Sequence, residues 1–228
     1  MTDDAPVLLI TGASSGIGAA TAHAAAEAGW RLVLTARSED KLTALADQIG
    51  PQRACVVPVD VADYASQDAM VNRAQAAFGR LDALFANAGI GGSPGGFSSA
   101  DPGSWRTMVE VNILGVAYSI QLCLPALRQA RGHVLITGSI AGRRTLAGSM
   151  YSATKWAVSA IGYSLREELN GSGVRVTLIE PGMVDTPFFD SPKPDALAPE
   201  DVARAVVYAL RQPASVEVHE LVILPTPR

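Results

Sequence analysis

Tyr151 and Lys155 stand four residues apart in Tyr151-Ser152-Ala153-Thr154-Lys155, a spacing that puts both on one face of a helix. A free phenol titrates near 10, too high to exchange protons readily at neutral pH. An ammonium beside it favours the phenolate and lowers that value, so the pair suits general acid/base work. The choice of lysine is selective: among the 18 Lys and Arg residues, only Lys41, Lys155 and Lys193 are lysines. Ser139, in Thr137-Gly138-Ser139, precedes Tyr151 by twelve residues. If the intervening loop folds back, the Ser139 and Tyr151 hydroxyls can hydrogen-bond one carbonyl oxygen together. Asn112 is polar within the apolar run Val111-Asn112-Ile113-Leu114-Gly115. Asn is mildly unfavourable inside a helix. It implies either a bent or hydrated helix that uses the amide, or an amide satisfied in the core.

A second set of residues could hold a phosphate. Thr11-Gly12-Ala13-Ser14-Ser15-Gly16-Ile17-Gly18 follows a strand-like run and opens an Ala-rich helix. Glycines allow a tight turn and a close backbone approach to a pyrophosphate, which the positive end of a helix favours. The spacing is G-x-x-x-G-x-G rather than the commoner G-x-G-x-x-G. A carboxylate at the tip of the second strand would bind a ribose 2′-hydroxyl, but this chain has Thr35-Ala36-Arg37-Ser38 there. Arg37 could instead hold a 2′-phosphate through charge-assisted hydrogen bonds. Asp60-Val61 ends the third strand, with Asp60 placed either to accept from an adenine amino group or to cap the next helix. Asn87-Ala88-Gly89 closes the fourth strand, where Asn87 either braces neighbouring strands or lines the cleft directly.

These residues need a scaffold that brings strand ends together. Short apolar, β-branched runs at 7–11, 31–36, 54–59, 83–86, 133–137, 174–180 and 218–224 alternate with helical stretches. The helices are expected from the glycine turn to about 28, then at 38–49 with Ser38 as N-cap, 64–78, about 102–129, 150–169 and 199–211. The 102–129 region could be two helices, with Pro125 as a possible kink. Strand-then-helix repetition implies parallel strands joined by helical crossovers, and continuous apolar strands imply that both sheet faces are covered. The expected fold is one α/β domain over 1–228, a doubly wound parallel sheet of about seven strands with helices on both faces. Only the segment from Gly182 to Ala198 reads as a long irregular connection.

Composition narrows the function. Of the 228 residues 48% are hydrophobic and 18% charged, which excludes a mainly disordered chain. A net charge of −4 offers no basic field for nucleic acid or an anionic membrane. No segment reads as a bilayer span of ~18 apolar residues, and Met-Thr-Asp-Asp lacks the basic start of a signal peptide. Cys55 and Cys123 sit in apolar runs and are read as reduced and structural. No metal site is expected, and the expected location is the cytoplasm.

Taken together, the motifs resemble the main single-domain branch of the short-chain dehydrogenase/reductase family, in order and over nearly the whole chain. The resemblance implies that Thr11–Gly18, with Ser14, Ser15, Gly16 and Ile17, forms the T-G-x-x-x-G-x-G cofactor turn. It implies that Asp60 and Val61 meet adenine, that Asn87-Ala88-Gly89 is the N-A-G strand end, and that Asn112, Ser139, Tyr151 and Lys155 are the catalytic tetrad. Pro181-Gly182 with Val184 and Thr186 matches the P-G-x-x-x-T segment that meets the nicotinamide. Arg37 resembles the NADP-preferring subgroup, although Ser15 stands where some of its members carry a basic residue. The implied activity is interconversion of a carbonyl and a secondary alcohol, with NADP(H) favoured and NAD(H) possible. In that mechanism Lys155 lowers the Tyr151 pKa and binds the nicotinamide ribose, and Asn112 holds a water. A non-catalytic NADP-binding regulator is the alternative. The substrate, a small carbonyl or alcohol, would meet loops 90–99, 140–150 and 183–198, lined by Phe97, Leu146, Met150, Met183, Phe188 and Phe189. Arg143 and Arg144 are read as solvated loop charges or as a grip on a substrate carboxylate. The segment after Gly182 is short for the family, which suggests an open pocket. A homodimer or homotetramer is expected.

Overall fold

Every residue of Val7–Thr11, Ala83–Ala86 and His133–Thr137 is buried, as a strand covered on both faces requires. In the computed structural model, which describes residues 4–92 and 95–226, these are the central strands of one seven-stranded parallel sheet. The strands are β1 (Val7–Thr11), β2 (Arg31–Ala36), β3 (Ala54–Pro58), β4 (Ala83–Ala86), β5 (His133–Thr137), β6 (Arg175–Pro181) and β7 (Glu220–Ile223). Their order is β3-β2-β1-β4-β5-β6-β7, and all six pairings are parallel. The chain winds outward from β1 to β3, returns to β4 on the other side, and winds outward again. The crevice between the C-terminal ends of β1 and β4 is where such sheets bind ligands.

The helices are α1 (Gly16–Glu27), α2 (Glu39–Ile49), α3 (Tyr64–Phe78), the single turn α4 (Gly96–Ser99), α5 (Pro102–Val109), α6 (Gly115–Ala130), α7 (Met150–Glu168) and α8 (Pro199–Leu210). Alternate strand residues serve opposite faces. Val7 and Leu9 join Met70 of α3, Ile120 and Leu127 of α6 and Val158 of α7. Leu8 and Ile10 join Ala22 and Ala25 of α1, Leu42 of α2 and Val206 of α8.

The doubly wound sheet is thus as expected, with differences in detail. The 102–129 region is two helices, but the break is a π-helical turn over Glu110–Leu114 and not Pro125. Pro125 sits inside α6 on its exposed side, where solvent can satisfy the carbonyl that proline leaves without a donor. Ser38 does occupy the N-cap of α2, yet its side chain makes no capping bond. By length and hydropathy alone the helical stretch Pro102–Ala130 would qualify as a membrane span, contrary to the sequence reading. Its Met108, Val116, Ile120, Cys123 and Leu127 are instead buried within the protein. Met1–Asp3, on which the leader reading rested, lie outside the described residues.

Candidate active site

Thr11 ends β1 and Asn87 follows β4, at the two lips of the crevice. The Thr11 hydroxyl accepts from the backbone N–H of Asn87 and of Ala88, each at 3.0 Å. The Asn87 amide donates to the Thr11 carbonyl at 3.0 Å, and its oxygen accepts from the Thr137 hydroxyl of β5 at 3.1 Å. Asn87 is therefore a brace across three strand ends. Beyond Thr11 the backbone takes positive φ at Gly12 (68°) and Gly16 (52°), a region that disfavours any side chain. An added Cβ on Gly12 would lie 2.9 Å from the Ala88 Cα, and one on Gly18 would strike the Gly12 carbonyl oxygen. The Ala13 N–H donates to the Thr35 carbonyl at 3.0 Å, tying the turn to β2. Ser14 and Ser15 complete the turn. Ser15 holds the N-cap position of α1 in extended backbone without a side-chain capping bond. The first N–H groups of α1, at Gly16, Ile17 and Gly18, thus open on the crevice with the positive end of the helix.

The further nucleotide-side candidates share this edge. Arg37, just past β2, is exposed and makes no hydrogen bond or ion pair among the described residues. Asp60 is exposed and accepts from the Ala62 N–H at 3.0 Å; the cap of α3 is Asp63, not Asp60. Val61 is buried, and its carbonyl accepts from Gln67 at 2.6 Å. Gln67 also donates to the Gly115 carbonyl and accepts from Ser119. This buried knot holds the 60–61 loop and was not flagged by the sequence. Gly182 donates its N–H to the Ile223 carbonyl at 2.7 Å just past Pro181. Val184 bridges Leu197, so the irregular 183–198 segment is pinned at both ends. An added Cβ on Gly16 would lie 3.0 Å from the Thr186 methyl, which brings the glycine turn and the Pro181–Thr186 segment together.

Tyr151 and Lys155 occupy the first turns of α7, whose N-cap Ser149 accepts from the Ser152 N–H at 3.0 Å. The Lys155 Nζ lies 5.8 Å from the Tyr151 ring centre. The one-turn 3₁₀ helix Ile140–Gly142 folds the chain back and brings Ser139 to Tyr151, close enough to act on its pKa, the loop closure anticipated above. Burial raises the Tyr151 pKa above its ordinary value, and the Ser139 hydrogen bond opposes that rise. Burial also lowers Lys155 to about 8. The expectation that Lys155 holds Tyr151 below its ordinary value is corrected here: burial disfavours both charged forms. The Lys155 Nζ instead donates to the Thr137 carbonyl at 2.7 Å. Two of its three N–H donors remain available, beside Gly89, where an added Cβ would lie 3.8 Å from Nζ.

Asn112 sits in the π-helical turn, a feature frequent at functional sites. Its amide nitrogen donates to the Ile90 carbonyl at 3.0 Å and the Thr154 hydroxyl at 3.1 Å, and its oxygen accepts from the Ile90 N–H at 2.8 Å. Both amide donors are spent, so the amide satisfies itself in the core and braces the Gly89–Ile90 backbone against α7.

The expected substrate lining is only partly assembled. Phe188 packs edge-on against Tyr151, ring centres 5.6 Å apart, and its ring lies on Gly91. Phe189 packs on Phe188 at 5.2 Å. The short segment after Gly182 thus places Phe188, itself exposed, against the Tyr151 ring. Met150 begins α7, half-buried. Phe97 turns away to Trp105 at 5.8 Å, and Phe97, Leu146 and Met183 are exposed. Gly96 and Gly148 bring the loops 90–99 and 140–150 into contact; Ser93 and Pro94 of the first loop lie outside the described residues. Arg144 is exposed. Arg143 is half-buried and committed, because it pairs with Glu180 and Glu220. A glutamate inside the apolar run 174–180 was the sequence signal for that pairing.

The crevice fits a dinucleotide. It offers uncapped helix N–H groups, glycines where a Cβ would obstruct, a buried lysine with two unspent donors and an uncommitted arginine on the adenosine side. Comparisons with known proteins agree. Residues 6–196 match the family model for short chain dehydrogenase. An uncharacterized oxidoreductase of Staphylococcus saprophyticus is 39% identical over 227 residues, covering 96% of this chain and 97% of that protein. An alcohol dehydrogenase from the archaeon Thermococcus sibiricus, solved with 5-hydroxy-NADP, superposes with a TM-score of 0.92 at 33% identity, covering 99% of this chain and 100% of the other. A 3-ketoacyl-(acyl-carrier-protein) reductase from Brucella melitensis, solved with NADH, gives 0.89 at 29% identity, covering 97% and 98%.

Proposed function

The chain belongs to the short-chain dehydrogenase family, and from that premise we propose that it interconverts a carbonyl and a secondary alcohol with NADP(H). The observation that carries the reading is that Tyr151, with Ser139 brought to it by the 140–142 turn, lies beside the buried Lys155 at the edge where α1 opens uncapped. The bound nicotinamide supplies or accepts the hydride at the substrate carbon. Tyr151 gives its proton to the substrate oxygen in reduction and takes it back in oxidation. Ser139 donates a hydrogen bond that orients that oxygen. Lys155, with two unspent donors, would hold the nicotinamide ribose, and Asn112 holds the Gly89–Ile90 wall in place. Thr11–Gly18 would hold the pyrophosphate, Asp60 and Val61 the adenine, and Pro181, Gly182, Val184 and Thr186 the nicotinamide.

Arg37 supports NADP(H) over NAD(H): it is the cation at the β2 tip and has no competing partner among the described residues. The substrate is a small apolar carbonyl or alcohol, since Phe188 lines the Tyr151 ring and Arg143 is paired with two carboxylates. The exposed Trp156 and Tyr163 of α7 support a homodimer or homotetramer, placed in the cytoplasm.

Parallel fluorescence titrations with NADPH and NADH test the cofactor reading. NADPH should bind more tightly. Arg37→Ala should weaken NADPH by about tenfold or more, as expected for lost charge-assisted hydrogen bonds worth ~1.5–3 kcal/mol, and leave NADH nearly unchanged. Tighter NADH binding overturns the role of Arg37. Binding of neither overturns the oxidoreductase reading, and NADPH binding without turnover of any carbonyl favours a regulator.

A further inference from the structure

We propose that Arg143 is a positioning residue, which fixes the 139–143 turn so that the Ser139 hydroxyl meets Tyr151. The proposal rests on the catalytic reading above for its consequence in turnover, but its geometry stands independently. Glu180 of β6 is fully buried, and a buried carboxylate must be both paired and hydrogen-bonded. Arg143 Nε donates to one of its oxygens and Ser159 of α7 donates to the other at 3.2 Å. The same guanidinium donates through Nη2 to Glu220 of β7, whose carboxylate raises the pKa of the nearby Tyr163 of α7. In the β6–β7 register Leu178 faces Glu220 and Glu180 faces Val222, so the two carboxylates lie two positions apart on one sheet face. One cation with N–H groups in fixed directions satisfies both, which a lysine could not do in the same way.

The clamp reaches Ser139 through the backbone on both sides. Gly138 lies directly on Glu180: an added Cβ would be 2.9 Å from the Glu180 Cγ, and the Gly138 N–H donates to the Ile179 carbonyl at 2.8 Å. At the other end, an added Cβ on Gly142 would lie 2.6 Å from the Lys155 carbonyl oxygen and 3.1 Å from the Ser159 hydroxyl. Residues 138–143 are thus wedged between β6 and α7. Within the wedge the Ser139 hydroxyl accepts from the Ala141 N–H at 3.1 Å, and the Arg143 N–H donates to Ile140 at 3.0 Å. Without Arg143 the buried Glu180 keeps only Ser159, and the turn moves to bring it another donor or water. Ser139 moves with the turn, and its contact with Tyr151 is lost.

The test is the titration of Tyr151 in the intact protein, followed by NMR of tyrosine labelled at Cζ. Tyr151→Phe assigns its signal among the five tyrosines. Lys155 is the titratable group beside Tyr151, and it is common to every variant compared. Ser139→Ala should raise the Tyr151 pKa by removing a donor to the phenolate. Arg143→Ala should shift it in the same direction, and Ser139→Ala/Arg143→Ala should go no further than Ser139→Ala alone. Arg143→Lys should recover part of the shift. In turnover, Arg143→Ala should lower kcat about tenfold and leave NADPH binding unchanged. Should Arg143→Ala fail to fold, Arg143→Met/Glu180→Gln removes the clamp without stranding a buried charge and should give the same shift. The proposal is overturned if either folded variant titrates like wild type, or if the Ser139 and Arg143 shifts add. Because the titration needs neither substrate nor cofactor, a protein that turns over no carbonyl removes the proposed reaction and leaves this test to decide on Arg143 alone.

Discussion

Lys155 is a buried cation whose charged form the fold disfavours. Its displacement from 10.5 to about 8 corresponds to about 3 kcal/mol. In the folded state Lys155 loses its proton near 8, in the unfolded chain near 10.5. Its full contribution to stability is therefore present above 10.5 and is lost as pH falls through about 8. Lys155→Met should stabilise the protein at pH 7 by roughly 1–2 kcal/mol, since about 1 kcal/mol is returned when the Thr137 carbonyl loses its donor. Urea unfolding at pH 7 and pH 10 checks this: the gain should shrink at the higher pH, and a destabilised Lys155→Met at pH 7 would refute it. Tyr151→Phe should leave NADPH binding nearly intact and lower kcat by about 100-fold or more; a variant keeping over a tenth of wild-type kcat removes Tyr151 from the chemistry. The spacing of Tyr151 and Lys155 was legible because four residues on a helix is a local rule. The opposing effects on their protonation were not, since desolvation depends on what the rest of the chain packs around them. Arg143 was misread for the same reason, its partners Glu180 and Glu220 lying far along the chain.

At the level of elements, the strands and helices that carry the site were legible because doubly covered strands are continuous apolar runs and the intervening helices are Ala-rich. The π-helical turn at Glu110–Leu114 was not, because one extra residue in a turn leaves no mark in an apolar stretch beyond the odd polar Asn112. Pro125 was the more visible signal and proved silent on an exposed helix face. In the proposed function, the β1–α1 turn is the element that would hold the cofactor. Gly18 has an ordinary backbone conformation, so Gly18→Ala acts through contact alone, driving a methyl into the Gly12 carbonyl oxygen. The turn must open to admit it. Crowding in a packed interior costs about 1–3 kcal/mol, and NADPH affinity should fall at least tenfold while the far-UV spectrum of the sheet is retained. Wild-type NADPH affinity in Gly18→Ala would show that the turn yields without cost to its N–H groups.

Across the whole molecule, the candidate site residues gather at the C-terminal edge of the sheet, and the opposite edge carries none of them. His133 begins β5 at that opposite edge and is almost fully buried. Thr177 of β6 donates to the Val218 carbonyl at 2.6 Å, so its oxygen accepts from His133 Nε2 at 2.8 Å. That fixes the neutral tautomer with Nδ1 bare, and Nδ1 has no partner. Burial, with Arg175 nearby, lowers the His133 pKa to about 3. The unfolded chain takes up this proton near 6.5 and the folded protein does not. Stability from this group is therefore full above 6.5 and is lost as pH falls toward 3. The loss is about 1.4 kcal/mol per pH unit, or about 2 kcal/mol at pH 5. His133→Gln keeps a donor for Thr177 and cannot titrate. Its unfolding free energy should lie within about 1 kcal/mol of wild type at pH 7 and fall less steeply by about 2 kcal/mol between pH 6.5 and 5. NADPH binding at pH 7 should be unchanged, because the cleft is at the far end of the strands. Parallel pH profiles for wild type and His133→Gln would place the acid sensitivity elsewhere in the molecule.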